Sequence, residues 1–166
     1  MRQNALKIYQ CLEGEISLDE RSRLLLEVAS ILHDIGNFIS MSNHHLHSEY
    51  IIRHSEIFGL TRTENIIVST IARYHRGKQQ PQDSEQFQIL ARSDRMQILK
   101  LTAILRIADA LDRSHGQTLS EIEIKLKNDT LAIYSKGIKN LALERIALSE
   151  KGELFESVFG YKVILI

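Results

Sequence analysis

The feature that most constrains this chain is a stretch of 22 residues, from His33 to His54, that holds five of its seven histidines. The stretch begins where an apolar helical pattern ends and contains the adjacent pair His33 and Asp34, followed by Gly36. It continues into a second helical pattern that opens with three histidines in four residues. Imidazole and carboxylate groups together suit a divalent metal or a phosphate. This stretch is therefore where we first look for chemistry.

Length and composition are those of an ordinary globular chain. It has 166 residues, of which 43% are hydrophobic and 25% charged, and its formal net charge is zero. A zero net charge offers no bulk attraction to nucleic acid or to an anionic membrane, and we expect neither as a partner. The single cysteine, Cys11, excludes an internal disulfide, which is typical of a reducing compartment. No apolar run approaches the roughly 20 residues of a membrane span, and no signal-peptide pattern opens the chain, so we expect a cytoplasmic protein.

Apolar residues at helical spacing predict a mainly α-helical region up to about residue 114. The chain has only one proline and eight glycines, so few residues would interrupt long helices. Gly36 is expected to end the second helix as a left-handed residue. Four predicted helix starts are marked by capping residues: Ser17 with Glu20, Ser42 or Asn43, Thr61 with Glu64, and Ser93.

The period of the hydrophobic pattern changes from 3.6 to 2 at about residue 120. Residues 122–126 alternate apolar and charged side chains, and 128–129 form a turn signal. Residues 131–133 continue a returning strand, which predicts a hairpin. A helix over about 138–158 and an apolar strand over 163–166 follow, so the last part of the chain is predicted to be a β-β-α-β arrangement.

Together these patterns predict an α+β fold. We expect a mainly helical domain over residues 1–117 and a small β-β-α-β subdomain over residues 118–166. The sequence has no internal repeat and no low-complexity segment.

Further candidates for chemistry lie on the predicted inner faces of helices. His47 is placed on the inner face of the helix over about 44–58, in phase with His44, Ile51 and Phe58. His44 and His45 themselves are interpreted as exposed polar residues at the end of a loop. His75 lies on an apolar stripe, and Asp109 lies at the edge of another, where a carboxylate is costly unless it is paired or coordinated.

Each of these groups also has a purely structural interpretation. His33 could hydrogen-bond Asp34 or a backbone carbonyl at a helix end instead of binding a metal. Asp109 could pair with His33 or Arg106 instead of coordinating a metal. His75 could be a core histidine whose ring nitrogens are hydrogen-bonded, or it could contact phosphate.

Arginines accompany these elements, at positions 73, 76, 106 and 113. Guanidinium groups suit phosphate oxygens through bidentate geometry. From Arg73 to Arg113 the chain holds eight lysines and arginines against five acidic residues, a mild local excess. These arginines could bind phosphate, or they could form an ordinary solvated face.

The groups resemble the signature of the HD superfamily of metal-dependent phosphohydrolases. The matching residues are His33 with Asp34, His47, His75 and Asp109. This resemblance implies a divalent metal such as Mn²⁺ or Mg²⁺, held by His33, Asp34 and Asp109. HD enzymes typically have a further histidine on the preceding helix, and no histidine precedes His33 in this sequence.

Longer runs resemble the C-terminal region of the exopolyphosphatase/guanosine pentaphosphate phosphohydrolase (Ppx/GppA) family. The resemblance covers nearly the whole chain and implies an HD-type fold for the helical domain. The matching runs are residues 32–36, 42–48, 73–76, 105–115 and 153–160.

By this resemblance the chain is a C-terminal module that binds polyphosphate or a guanosine polyphosphate. In the family, two actin-like domains carry out phosphoanhydride hydrolysis, and these 166 residues do not contain them. The resemblance therefore implies weak hydrolysis by the isolated chain, partner actin-like domains in the same or another chain, and a homodimer. The residues assigned to polyanion binding are His47, His75, Arg73, Arg76, Arg106 and Arg113.

Two alternatives remain open from the sequence. The chain could be an autonomous HD phosphohydrolase, in which His33, Asp34 and Asp109 hold a metal and His47 or His75 completes its shell or contacts phosphate. It could instead be a regulatory or dimerisation module without a ligand, which pairs with actin-like domains on another chain.

Overall fold

The computed structural model describes residues 1–14, 17–77, 79–113, 122–135 and 141–166. Its elements confirm an α+β fold that is mainly helical. No helix in these ranges combines the length and the hydropathy that a membrane crossing requires. In chain order the elements are α1 (Arg2–Leu12), α2 (Glu20–Leu32), a 3₁₀ turn (Ile35–Phe38), α3 (His44–His54), α4 (Arg62–Tyr74), a second 3₁₀ turn (Pro81–Asp83), α5 (Glu85–Gln88), α6 (Arg92–Ala110), β1 (Ile122–Lys127), β2 (Thr130–Ser135), α7 (Ala142–Phe159) and β3 (Lys162–Leu165).

The chain divides into two compact units. Residues Asp19–Thr102 form one, which we call the continuous unit, and residues Met1–Leu18 with Ala103–Ile166 form the other, which we call the split unit. The first helix therefore shares a unit with the sheet, whereas the sequence pattern grouped it with the helices that follow. The predicted domain boundary between residues 117 and 118 lies outside the described residues.

The sheet of the split unit has β2 as its central strand. β1 runs antiparallel to β2, with Ile124 opposite Ile133, and β3 runs parallel to β2, with Val163 beside Leu131. Parallel neighbours cannot be joined by a tight turn, and the crossover between them is α7. The predicted β-β-α-β arrangement is thus confirmed in the described residues.

Helix α1 buries one face, and its contacts with β1 bring it against the sheet. Lys7 Nζ lies 3.5 Å from the carbonyl oxygen of Ile122, and Cys11 Sγ lies 3.8 Å from that of Ile124. Burial raises the pKa of the Cys11 thiol, against a weaker opposing backbone hydrogen bond. Cys11 is therefore a protonated, partly buried packing residue. The buried side chains of α1 are Asn4, Ala5, Ile8, Tyr9 and Leu12.

In the continuous unit, α4 packs against both α2 and α3. The predicted capping box at its start is confirmed. The Glu64 backbone N–H donates to Thr61 Oγ1 at 3.2 Å, and the Thr61 N–H donates to Glu64 Oε2 at 2.7 Å. Arg21 of α2 also donates to both oxygens of Glu64, at 2.6 and 2.8 Å, so one carboxylate caps α4 and joins it to α2.

Two predicted caps were wrong. Asp19, not Ser17, caps α2, because its carboxylate accepts from the backbone N–H of Ser22 at 2.8 Å. Helix α6 begins at Arg92, before the predicted cap Ser93, which lies inside the first turn. At α2 both Ser17 and Asp19 can cap a helix, and their order in the sequence does not decide which one adopts the extended backbone of a cap. At α6 the helix begins one residue earlier, after Ala91, which has no capping side chain.

Replacing Glu64 by alanine should lower the free energy of unfolding by about 1 kcal/mol at pH 7, since the cap and the bond to Arg21 are both lost. The hydrogen bond from Arg21 lowers the pKa of Glu64 to about 2 in the folded chain, against the opposing effect of burial, and hydrogen bonds with Thr61 lower it further. A lowered folded-state pKa stabilises the fold above the unfolded value of 4.5, and this stabilisation is lost as the pH falls towards 2.

Urea unfolding of the wild type and Glu64→Ala should therefore show a difference that shrinks between pH 5 and pH 3. Glu56→Ala, at an exposed position of the preceding loop, is the matched control and should change stability little. A pH-independent difference between the wild type and Glu64→Ala would contradict this account.

Candidate metal centre

Three imidazole rings of the continuous unit converge on the carboxylate of Asp34, just beyond the C-terminal end of α2. Asp34 Oδ2 lies 3.3 Å from His33 Nε2, and Asp34 Oδ1 lies 3.2 Å from His44 Nε2 and 3.7 Å from His75 Nε2. The Nε2 atoms of His44 and His75 are 3.5 Å apart. We call His33, Asp34, His44 and His75 the histidine–aspartate cluster.

Each imidazole of this cluster is oriented by the backbone carbonyl three residues earlier. A carbonyl oxygen only accepts hydrogen bonds, so the Nδ1 atom that faces it carries a proton and donates. In a neutral ring Nε2 then presents a lone pair, which here lies near the Asp34 carboxylate. The pairs are His33 with Ser30 at 3.0 Å, His44 with Met41 at 3.1 Å and His75 with Ala72 at 2.5 Å.

This donor set fits a divalent metal. Neutral imidazole lone pairs and a carboxylate at these separations repel one another unless a cation or protons lie between them. His33, Asp34 and His75 each offer a ligand atom within 4.8 Å of the others, and His44 adds a third imidazole. A hydrogen bond from the opposite ring nitrogen to a carbonyl is typical of metal-bound histidine, because it sets which nitrogen is free to coordinate.

Asp34 is the charged group at the centre of the cluster. When the imidazoles are protonated, the hydrogen bond from His33 lowers the pKa of Asp34 to about 2, against the opposing effect of burial, and positive charge on His33, His75 and His44 lowers it further. The carboxylate is therefore ionised at neutral pH. Its side chain is 39% exposed, whereas that of His75 is 1% exposed, so the cluster opens to solvent on the Asp34 side.

Gly36 allows the segment between α2 and α3 to close over the cluster. A Cβ atom at this position would lie 2.1 Å from the carbonyl oxygen of His44 and 2.5 Å from the backbone nitrogen of Ser48. Ser48 Oγ accepts from the Gly36 N–H at 2.9 Å and donates to the His33 carbonyl at 2.7 Å. The expected left-handed conformation of Gly36 was wrong, since the residue lies in the 3₁₀ turn without a positive φ. Glycine is required at this position because the backbone of α3 approaches it closely.

Replacing Gly36 by alanine should therefore lower the free energy of unfolding by about 3 kcal/mol, because the methyl group would overlap backbone atoms that cannot move aside. Chemical denaturation measures this loss. Gly152→Ala is the matched control, since a Cβ there meets nothing within 4 Å and the residue lies inside α7. The control should be neutral or slightly stabilising, by up to about 1 kcal/mol. Equal stabilities for the two variants would refute the packing argument.

The sequence pattern put His47 on the inner face of α3 in phase with His44, but His44 was interpreted as an exposed residue at the end of a loop, and that interpretation was wrong. His44 is 5% exposed and belongs to the cluster. His47 is partly exposed and makes no hydrogen bond or ion pair with the other described residues. The buried face of α3 runs through His44, Ser48 and Ile52, an i, i+4, i+8 stripe that the sequence already contained. Phe58, predicted to continue the inner face, lies beyond the end of α3 and is fully exposed.

Basic groups flank the cluster at the C-terminal end of α4. His45 has a lowered pKa, first because of burial and then because of positive charge on His44, Arg73 and Arg76. Arg73 donates to Glu49, which is itself buried, so part of its charge is neutralised. Arg76 is exposed and makes no ion pair with other described residues, which leaves its guanidinium available to an anion.

Three predicted site residues lie in the split unit. Asp109 forms an ion pair with Lys151 of α7, a partner that the sequence pattern had not suggested. Arg106 is 5% exposed, and burial lowers its pKa against the opposing charge of Glu153. Arg113 is exposed. Metal ligation by Asp109 and phosphate binding by the two arginines stay predictions.

Comparison with known sequences agrees with the resemblance described above. The sequence model of the family described as Ppx/GppA phosphatase, domain III, matches residues 1–151. The chain is 28% identical over 144 residues to a guanosine-5'-triphosphate,3'-diphosphate pyrophosphatase from Pseudoalteromonas translucida (strain TAC 125), covering 85% of this chain and 28% of that protein. It is 29% identical over 140 residues to a protein of the same name from Vibrio vulnificus (strain YJ016), covering 82% of this chain and 27% of that protein. The chain thus spans little more than a quarter of the length of these relatives.

Proposed function

The chain belongs to the Ppx/GppA phosphatase family as a module corresponding to that family's domain III, and we propose that it binds the phosphate chain of polyphosphate or of a guanosine polyphosphate. The observation that carries this proposal is the convergence of three imidazole Nε2 atoms on the ionised Asp34 carboxylate. Such a centre combines a cation site with an opening to solvent. The names of the two relatives favour a guanosine polyphosphate as the ligand.

We propose that His33, Asp34, His44 and His75 hold one divalent metal ion. Three nitrogen donors and one oxygen donor favour a transition ion such as Mn²⁺ over Mg²⁺, which prefers oxygen ligands. When bound, such an ion acts as a Lewis acid towards phosphoryl oxygens. His44 supplies an imidazole in a chain that lacks the upstream histidine of typical HD enzymes. The proposal does not require Asp109, whose charge is already balanced by Lys151.

The phosphate chain would extend from this centre along the basic groups at the end of α4. Arg76 offers an exposed guanidinium, and Arg73 lies three residues earlier on the helix. The pKa of His45 beside the cluster is lowered first by burial and then by positive charge, to which both arginines contribute. Guanidinium groups suit phosphate oxygens because they donate two parallel hydrogen bonds.

We further propose that the module works with actin-like phosphatase domains, in the same or another chain, and as a homodimer. This rests on the resemblance to the Ppx/GppA family. The short share of the relatives' length that this chain covers is consistent with a module of a larger assembly.

Metal binding can be tested by titrating the purified, metal-stripped protein with MnCl₂ in a calorimeter. The wild type should bind one Mn²⁺ ion, and Asp34→Ala and His44→Ala should each weaken binding at least about tenfold, since a ligand is lost. His47→Ala, on the same helix, is the matched control and should bind normally. Loss of binding in His47→Ala with normal binding in His44→Ala would reject the cluster as the metal site.

Phosphate binding can be tested by titrating the Mn²⁺-loaded protein with tripolyphosphate. Arg76→Ala should weaken binding about fivefold, which corresponds to about 1 kcal/mol for one exposed charge contact. Arg145→Ala removes an exposed arginine of α7 and should have no effect. Added salt should weaken binding of the wild type, since the contacts are ionic. Equal affinities for the wild type and Arg76→Ala would argue against this path for the phosphate chain.

The same cluster favours a second function, that of an autonomous metal-dependent phosphohydrolase. Asp34 is partly exposed beside three imidazoles, so a phosphoanhydride could reach a bound metal directly. Phosphate release from polyphosphate or guanosine pentaphosphate by the isolated chain distinguishes the two functions. Release that requires Mn²⁺ and is abolished in Asp34→Ala would establish the hydrolase, whereas tight binding without release would support the binding module.

A further inference from the structure

The segment of residues 35–43, which we call the rim loop, joins two members of the histidine–aspartate cluster. It follows directly on Asp34 and leads into His44, the first residue of α3. The side chains at its two ends meet, since Asp34 Oδ1 lies 3.2 Å from His44 Nε2. The rim loop therefore closes on the cluster, and its residues lie close to the candidate metal centre.

Hydrogen bonds hold the backbone of the rim loop in place. The N–H groups of Ile39 and Ser40 both donate to the carbonyl of Gly36, at 3.0 and 3.1 Å. The carbonyl of Met41 accepts from His44 Nδ1 at 3.1 Å, so this residue is joined directly to an imidazole of the cluster. A loop that is already ordered can bind a ligand without the entropic cost of being ordered by it.

The large side chains of the rim loop are apolar and face solvent. Phe38 is 93% exposed and Met41 is 82% exposed, and Ile35 and Ile39 are exposed as well. No residue from 35 to 43 carries a charged side chain. Single exposed apolar residues are common on protein surfaces, but a group of large ones on an uncharged loop is typical of a binding site.

Phe38 lies within reach of a ligand that is bound at the cluster. It ends the 3₁₀ turn that follows Asp34, and each residue of such a turn advances the chain by about 2 Å, so the two Cα atoms are separated by at most about 8 Å along the turn. Residues three apart in a 3₁₀ turn lie on the same side, which places Phe38 in line with Ile35. Asp34, through which the cluster opens to solvent, is thus followed at once by exposed apolar surface.

The charged cluster and the apolar rim loop together define the chemistry of the ligand. A bare phosphate chain carries ionised oxygens along its whole length, and an apolar surface beside it removes hydration without replacing it. A nucleoside polyphosphate instead joins its phosphates to a flat, uncharged ring. Such a ring stacks on a phenylalanine side chain and makes favourable contacts with the sulfur of a methionine.

We propose that the rim loop binds the base of a nucleoside polyphosphate whose phosphates lie at the metal centre. The base stacks on Phe38 and contacts Met41, and Phe38 is therefore the residue that distinguishes a nucleoside polyphosphate from polyphosphate. This inference rests on the function proposed above and selects one of its two ligand classes. Stacking depends little on the identity of the base, so guanine and adenine are accepted alike.

The test is calorimetric titration of the full chain, in the presence of MnCl₂, with guanosine triphosphate, adenosine triphosphate and methyl triphosphate. Methyl triphosphate has the same charge as the nucleotides but no base. Both nucleotides should bind about tenfold more tightly, since stacking of one base on an aromatic side chain has that order of effect. Phe38→Ala should abolish this difference and leave the binding of methyl triphosphate and of Mn²⁺ unchanged. Phe58→Ala removes a fully exposed phenylalanine from the loop before α4 and is the matched control, which should retain the difference.

Both substitutions change exposed side chains, so the variants should fold, which circular dichroism verifies. Equal affinities of the wild type for the nucleotides and for methyl triphosphate would overturn the base site and leave phosphate binding at the metal centre intact. The rim loop would then be assigned to a protein partner. Equal losses in Phe38→Ala and Phe58→Ala would overturn the base site as well. If none of the three triphosphates binds, the function proposed above fails, and the base site fails with it.

Discussion

Three imidazoles share the carboxylate of Asp34, and the local structure of the continuous unit is arranged around that contact. Each ring is turned by a carbonyl one helical turn earlier, so the backbone itself selects the nitrogen that faces inward. Ser48 then ties Gly36 to His33 and holds the two sides of the cluster together. Without a cation or protons among them, these groups would repel one another.

Much of this centre could be anticipated from the sequence, because residue spacing carries information on secondary structure. The adjacent pair His33 and Asp34 at a helix end, and His75 on an apolar stripe, were identified from periodicity, and the structure brings all three together. His44 was missed, because a row of three histidines at a helix start gives two plausible phases for the buried face. The phase is decided by packing of Ser48 against Gly36, a contact 12 residues apart that no local pattern reveals.

Local sequence patterns also do not reveal which charged residues form ion pairs across the fold. Asp109 was correctly recognised as a carboxylate in need of a partner, but Lys151, 42 residues away, could not be selected from several lysines in the sequence. Glu49 likewise was not singled out, although it accepts from both Arg53 and Arg73. Because Glu49 neutralises these two guanidinium groups, the positive surface of the continuous unit depends more on exposed arginines such as Arg62 and Arg76.

The division of the chain into a continuous and a split unit has a consequence for biosynthesis. During translation all of Asp19–Thr102 emerges from the ribosome before β1 is made, so the histidine–aspartate cluster can assemble early. Helix α1 is made before the continuous unit, yet the strand that it contacts is synthesised only after that unit. Its apolar face, including Ile8 and Tyr9, therefore remains without β1 while the continuous unit is synthesised. The packing of α1 is therefore completed by a strand that is synthesised after the continuous unit.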